Sequence, residues 1–456
     1  MCGIIAVWNI KTSIIDSSLK KLSLRGRDGY GFFVTDLNSS KTERTLANVE
    51  TYSTLSNIKP VICLANSRAT PTTEYETGAG FDIKNQQPFE NKRFVVVHNG
   101  IIANDKELIK KFKLKPIANV DSAILPELFL ELGVVKGLKE LKGSYAILCW
   151  DKQEKKLYAA KNFMPLRVFL EPDKALFISL QEMAPLQPTE EVRPYSCIEI
   201  DIVTGDVEQY SLYPRERNKK VLVICSSGAD SATTAYLYKH LGYEVGLVHF
   251  KYKQAAEGVE LHCIKRLAKK LGAKLYVYNA RSIFGIFKQN SLLLTQKKAD
   301  ETKQMLDAES TLSYVPARNI IMATISAGVA EMYGYDTVAM GLQQMDSVYI
   351  DNNPGMVENM DSLLKYGLNW ETNIHFASPC IHLIKHEIFS LGERLGIDFN
   401  NDSVSCYYPK IRDGKVIPCH SCGCCQFKDT ALRMIKERDF IGDIDIFINK
   451  YVLPFI

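Results

Sequence analysis

Residues 220–250 read KVLVICSSGADSATTAYLYKHLGYEVGLVHF. The apolar run 220–225 has the composition of a buried strand, the small residues that follow make a tight loop, and the stretch to His240 is helical. VGLVHF (245–250) returns to strand. A strand, a helix and a second strand in this order make a parallel unit, because parallel neighbours need a crossover of about a dozen residues or more. The rhythm continues downstream. Glu257–Leu271 places Leu261, Ile264, Leu267, Ala268 and Leu271 on one helical face, and is followed by a strand at 274–279, a helix at 319–333 and a strand at 337–341. These residues predict an α/β domain built on a doubly wound parallel sheet.

The first loop, Ser226-Ser227-Gly228-Ala229-Asp230-Ser231, sits where such a sheet binds phosphates. Small residues let backbone N–H groups approach an anion, and the start of the helix adds unpaired donors. Ser226 and Ser231 contribute hydroxyls, and Asp230 suits either Mg²⁺ or the helix cap. The lysine of a GxxxxGK[ST] loop is absent, which argues against a kinase or GTPase.

Of the twelve cysteines, five fall between 406 and 425: Cys406, Cys419, Cys422, Cys424 and Cys425. Cys419, Cys422 and Cys425 are spaced x2, x2, with Cys406 thirteen residues upstream. Four thiolates in this spacing suit a tetrahedral, closed, structural Zn²⁺ site. An iron–sulfur cluster accepts similar spacing, and His420 is an alternative ligand.

Upstream of residue 205 the rhythm differs. Short β-like runs recur (GIIAVWNI, YGFFVTD, PVICLAN, FVVVHNG, YAILCWD, KLYAAKN, ALFISL, CIEIDI) around one helical stretch at 122–132. The pattern predicts an α+β domain over 2–205. The polar segment DVEQYSLYPRERNK (206–219) reads as a linker, and the second domain runs over 220–450. The chain is 46% hydrophobic and 24% charged, which excludes a mostly disordered protein, and its net charge of +4 does not mark a nucleic-acid binder. Neither a signal peptide nor a membrane-spanning run is present, so a cytoplasmic location without membrane contact is expected.

Cys2 follows the initiator Met1. Removing the methionine leaves a free α-amine beside a thiol, and one residue then supplies general base and nucleophile. The bland alternative is a small apolar residue opening a strand. Around it the first domain resembles the class II, N-terminal-nucleophile glutamine amidotransferases. The likeness rests on Met1-Cys2-Gly3-Ile4, LRGRDGYG (24–31), Arg68 in NSRAT, HNGIIAN (98–104) and Asp121 before a helix. It implies an αββα fold in which Asn99 and the Gly100 N–H form an oxyanion hole, Arg68 and Asp121 hold glutamine's carboxylate and ammonium, and Arg25 and Asp28 shape the surrounding loop. Ala69-Thr70-Pro71 departs from the bulkier residue and His common in relatives, so the lid over glutamine is expected to differ.

The second domain resembles 7-cyano-7-deazaguanine synthases of the ATP pyrophosphatase type. It carries SSGADS for the S-G-G-x-D-S loop, SYVPARN (313–319), MDSVYIDNNP (345–354), SPCIHLIKHEI (378–388), SC (405–406) and CHSCGCC (419–425). Ser227 stands where that loop has glycine. The resemblance implies ATP with Mg²⁺ at Ser226, Ser227, Gly228, Asp230, Ser231 and Lys385. It also implies a deazaguanine pocket at Arg318, Asn319, Tyr349 and Asp351, and Zn²⁺ on Cys406, Cys419, Cys422 and Cys425.

Joined, the halves imply a glutamine- and ATP-dependent amidotransferase that turns a 7-deazaguanine carboxylate or nitrile into an amide, nitrile or archaeosine-type amidine. The acceptor is a free base or one carried in tRNA or DNA, and a homo-oligomer is expected. An asparagine-synthetase-like ligase, transfer of a deazaguanine group onto a protein, and a non-catalytic nucleic-acid-binding protein stand as alternatives.

Overall fold

The structure is a computed structural model describing residues 2–47, 60–69, 82–180, 186, 189–212, 218–285, 315–344, 351–368 and 372–456. It divides into two compact units, Met1–Pro214 and Arg215–Ile456.

The first unit stacks two antiparallel sheets. One runs in the order Glu190–Glu191, Arg167–Glu171, Lys174–Ile178, Gly3–Trp8, Ile62–Arg68, Gly29–Thr35, Ser40–Thr45. The other runs Val207–Ser211, Ser196–Asp201, Lys156–Lys161, Gly143–Asp151, Phe94–Ile102, Phe89–Glu90. Side chains alternate across a strand, so Ile4, Ala6, Trp8, Phe33 and Leu64 meet Val95, Val97, Leu148 and Trp150 between the sheets. The intervening residues face helices: Ile5 and Val7 pack on Ile15 and Leu19 of the helix Thr12–Lys21, and Val96 and Ile147 pack on Ile124, Leu128 and Phe129. Every predicted strand is present, and the helix–sheet–sheet–helix layering is the predicted αββα architecture. Each fully buried aliphatic side chain in these layers contributes about 1.5–3 kcal/mol.

The stretch 206–219 corrects the expected linker. Val207–Ser211 is an edge strand, paired from Ser196↔Ser211 to Ile200↔Val207. Val207, Glu208, Gln209 and Ser211 are exposed, so the run reads as solvated coil in the sequence. The second unit also runs past residue 450, since the helix Ile444–Tyr451 and the turn Leu453–Phe455 pack at its end.

That unit holds a five-stranded parallel sheet in the order Lys274–Asn279, Glu244–Lys251, Lys220–Ile224, Thr337–Met340, His375–Ala377. Leu222 and Ile224 face the helix Arg318–Tyr333, while Val221 and Val223 face the helices Ala229–His240 and Glu257–Leu271. The chain builds outward from Lys220–Ile224 on one side and then returns to start Thr337–Met340 on the other. The loops after these two strands therefore diverge and leave a crevice, the place where open α/β sheets bind ligands. Gly341, just past the second strand, carries the Asp230–Ser231 backbone so closely that a Cβ there would lie 2.7 Å from Asp230 C and Ser231 N. Gly341→Ala should therefore displace the loop and cost about 1–3 kcal/mol, read as a lowered thermal midpoint. An unchanged midpoint would contradict this packing.

Candidate active sites

In the first unit, strand alternation assembles the candidate site. Cys2 continues the inward parity of Ile4 and Ala6, Asn66 and Arg68 that of Ile62 and Leu64, and Asn99 that of Val95 and Val97. The pairing Gly3↔Ser67 brings Cys2 level with Arg68, and the Cys2 Sγ lies 4.0 Å from the Ala69 carbonyl oxygen. Ser179 anchors the strand by bonding Ile4 N at 3.1 Å. Burial raises the Cys2 thiol's pKa, with Asn66 and Arg68 pulling it down. Burial likewise lowers that of Arg25, whose charge neighbour is Cys2.

Asp28 N donates to the Arg68 carbonyl at 2.9 Å, and a Cβ on Gly26 would strike that carbonyl, so the turn 25–28 is fastened to the end of the Arg68 strand. The Arg68 side chain is buried. Asn99 is fully buried, and neither atom of its amide has a hydrogen-bond partner among the described residues. Buried amides are almost always satisfied, so this group has donor and acceptor available for a bound partner. Gly100 has φ +139°, and a Cβ there would fall 2.0 Å from the Ser144 oxygen, which explains the glycine. Asp121 accepts from Ile102 N and Ser122 N, both at 2.7 Å. It ties the end of the Asn99 strand to the following turn, so its placement is fixed by backbone donors. Thr70 and Pro71 lie outside the described residues.

In the second unit the predicted loop borders a cavity of about 540 Å³. Ser226, Gly228, Asp230, Ser231, Arg318, Asn319 and Lys385 all line it. Lys385, 155 residues from Asp230, places its Nζ 2.8 and 2.7 Å from the two carboxylate oxygens. Ser227 sits at φ +63°, a region that favours glycine. Its buried side chain turns beneath the loop to the Ser226 and Glu260 carbonyls, so it adds no bulk to the cavity. Two further bonds hold the loop: Val404 N to Ser227 O at 2.9 Å, and Ala229 N to Ser405 Oγ at 3.3 Å.

The base-pocket expectation needs one correction. Asp351 does not line the cavity; its Oδ2 accepts from Asn319 N at 3.1 Å, and its backbone oxygen takes the Asn319 amide, also at 3.1 Å. Asp351 thus caps the helix Arg318–Tyr333 and orients Asn319. Tyr349 lies outside the described residues. Two cavity groups escaped sequence reasoning. His249, buried on a strand with apolar neighbours, donates from Nδ1 to the Cys225 carbonyl at 3.0 Å, and its Nε2 has no partner among the described residues. Burial lowers its pKa, so the ring presents a neutral acceptor. Glu260, on the helix Glu257–Leu271, is half-buried on the cavity wall, and burial pushes its pKa up to about 7.

The sulfurs of Cys406, Cys419, Cys422 and Cys425 lie within 4.8 Å of one another. Cys422–Cys425 is 3.5 Å and Cys419–Cys425 3.9 Å. A tetrahedral ion with bonds of about 2.3 Å spaces sulfurs about 3.8 Å apart, so the donors fit one metal ion and crowd out a multi-iron cluster. The grouped donors are all cysteine sulfurs, and His420, exposed and 3.6 Å from Asp429, is not among them. No helix of the described residues is long and apolar enough to cross a membrane.

Together these units define an N-terminal-nucleophile amidotransferase domain followed by a doubly wound, ATP-pyrophosphatase-type domain with a four-cysteine tail that can hold a metal. Residues 220–436 match the family described as queuosine biosynthesis protein QueC, and 81–184 a glutamine amidotransferase domain. The latter range contains Asn99, Gly100 and Asp121 but not Cys2 or Arg68. The 7-cyano-7-deazaguanine synthase of Saccharolobus solfataricus is 33% identical over 451 residues, covering 93% of this chain and 94% of that protein. 7-Cyano-7-deazaguanine synthase 2 of Sulfurisphaera tokodaii is 33% identical, covering 95% and 98%. The 7-cyano-7-deazaguanine synthase of a Nitratiruptor species matches at 35% over 205 residues, covering 44% of this chain and 90% of its own. The chain belongs to the 7-cyano-7-deazaguanine synthase family.

Proposed function

We propose that this protein is a glutamine-dependent ligase that amidates a 7-deazaguanine carboxylate at the expense of ATP. With Met1 removed, the α-amine of Cys2 takes the thiol proton, and the sulfur attacks the glutamine amide carbon. The Asn99 amide and the Gly100 N–H meet the oxyanion. Loss of ammonia leaves a thioester, which water cleaves to glutamate. Arg68 and Asp121 hold the amino acid's carboxylate and ammonium.

In the 540 Å³ cavity the substrate carboxylate attacks the α-phosphorus of ATP, giving an acyl adenylate and pyrophosphate. Ammonia then displaces AMP to form the amide, losing its extra proton to a base. Loop N–H groups, Ser226, Ser231 and Lys385 stabilise the phosphate charge, and Mg²⁺, when bound beside Asp230, screens it further. Zn²⁺ on the four cysteines keeps the tail folded. The observation that carries this reading is the convergence of the phosphate loop, the Asp230–Lys385 pair and Arg318 on one cavity. The match along nearly the whole chain to deazaguanine synthases favours it over an asparagine-synthetase-like ligase.

Mass spectrometry of products after incubation with glutamine, ATP and 7-carboxy-7-deazaguanine tests it. The amide or the nitrile should appear together with AMP and pyrophosphate, and glutamate formation without any deazaguanine product would reject it. Parallel incubations with the nitrile, and with tRNA or DNA carrying it, identify the acceptor. Since the Ser227 side chain points away from the cavity, Ser227→Gly should change ATP-dependent pyrophosphate release by less than about fivefold, under about 1 kcal/mol. A larger change would place that hydroxyl in the site.

A further inference from the structure

A guanine-type base presents two adjacent donors, N1–H and the 2-amino group, next to a carbonyl oxygen. A carboxylate is the natural reader of the donor pair. The sequence offered Asp351 for this task, and the structure places one oxygen of that carboxylate on the Asn319 N–H and leaves the residue off the cavity lining. Among the described residues lining the cavity, two carboxylates remain: Asp230, paired with Lys385 at the phosphate loop, and Glu260.

Glu260 is built into place. Gln254, itself buried, spends its whole side-chain amide on the arrangement. Its Oε1 accepts from Tyr252 N at 2.9 Å, and its Nε2 donates to the Phe250 carbonyl at 3.1 Å and to Glu260 Oε2 at 2.8 Å. Gln254 has no hydrogen left to offer a ligand, so it acts as a clamp. The second Glu260 oxygen takes no hydrogen bond among the described residues. Arg318, a charge neighbour of Glu260, lines the same cavity. An acceptor beside a guanidinium is the complement of the donor, donor, acceptor edge of guanine and mismatches the edge of adenine.

We propose that Glu260, clamped by Gln254, reads the N1–H and 2-amino group of the deazaguanine, and that Gln254 is a positioning residue for it. This rests on the deazaguanine reading of the cavity. The test uses the full-length protein and calorimetric binding of 7-carboxy-7-deazaguanine and its analogue lacking the 2-amino group, with ammonium-driven AMP formation measured on both. Wild type should prefer the 2-amino base by at least tenfold. Glu260→Gln should weaken its binding tenfold or more, raise KM with little change in kcat, and weaken the analogue, which keeps only the N1–H contact, by a smaller factor, so that the preference narrows. Gln254→Ala should do the same to a smaller degree. An unshifted thermal midpoint and unchanged tail metal content serve as the controls for folding of the second unit. An intact preference in Glu260→Gln, or a loss of kcat at unchanged KM, overturns the assignment while leaving the deazaguanine reading in place. If wild type binds neither base, both fall.

Discussion

Cys2→Ala should abolish glutamine-dependent product, by a factor on the order of 10⁴ or more, while product formation from ammonium salts continues at the wild-type rate. The expectation follows from the layout. Cys2 lies at the open end of the inter-sheet layer with Asn66 and Arg68 around it, whereas the phosphate loop, Lys385 and Arg318 belong to a unit with its own core. Alanine at position 2 removes only a sulfur and keeps the backbone of Gly3–Trp8, which pairs on both sides. The decisive measurement is AMP release with glutamine and with ammonium chloride, for both proteins. Loss of both activities in a folded variant would defeat the two-site assignment. The intact mass of the active protein supplies a second check, because a retained Met1 would block the amine proposed as base.

Replacing Cys422 with alanine should remove the bound metal and with it the fold of the C-terminal tail. Cys422 is fully buried and starts the helix Gly423–Glu437, and its sulfur is one of four within 4.8 Å. For such sites metal binding is folding free energy, about 10 kcal/mol or more, against a typical domain stability of about 5–15 kcal/mol. The variant should accumulate as insoluble or protease-sensitive protein, and elemental analysis of wild type should return one zinc per chain. A soluble, metal-free Cys422→Ala protein with an unshifted melting midpoint would show that the four sulfurs meet for another reason.

The parallel sheet was legible in the sequence because its strands are short apolar runs separated by periodic helices; Glu257–Leu271 and Lys274–Asn279 fall where the pattern put them. The four-cysteine cluster was legible because its spacing brings four thiols together. What escaped were properties that depend on pairing partners far along the chain. Val207–Ser211 looks like solvated linker until a neighbouring strand claims its backbone. Asp351 reads as a base-contacting carboxylate until the start of the helix Arg318–Tyr333 arrives to take it. Glu260 and His249 carry no local signature, since a charged residue on an amphipathic helix and a histidine in a strand are usually unremarkable; only their place on the cavity wall distinguishes them.

Residues 404–406 touch three things at once: the backbone of Ser227, the first N–H of the helix Ala229–His240, and the four-cysteine cluster through Cys406. The loop 226–231 and the cysteine tail are therefore fastened through the same three residues. Coupling between two sites is reciprocal. On the proposed reading, whatever factor by which a metal-ordered tail tightens the grip on nucleotide, occupancy by nucleotide returns to the tail as protection against chelators, so demetallation should be slowest with nucleotide bound.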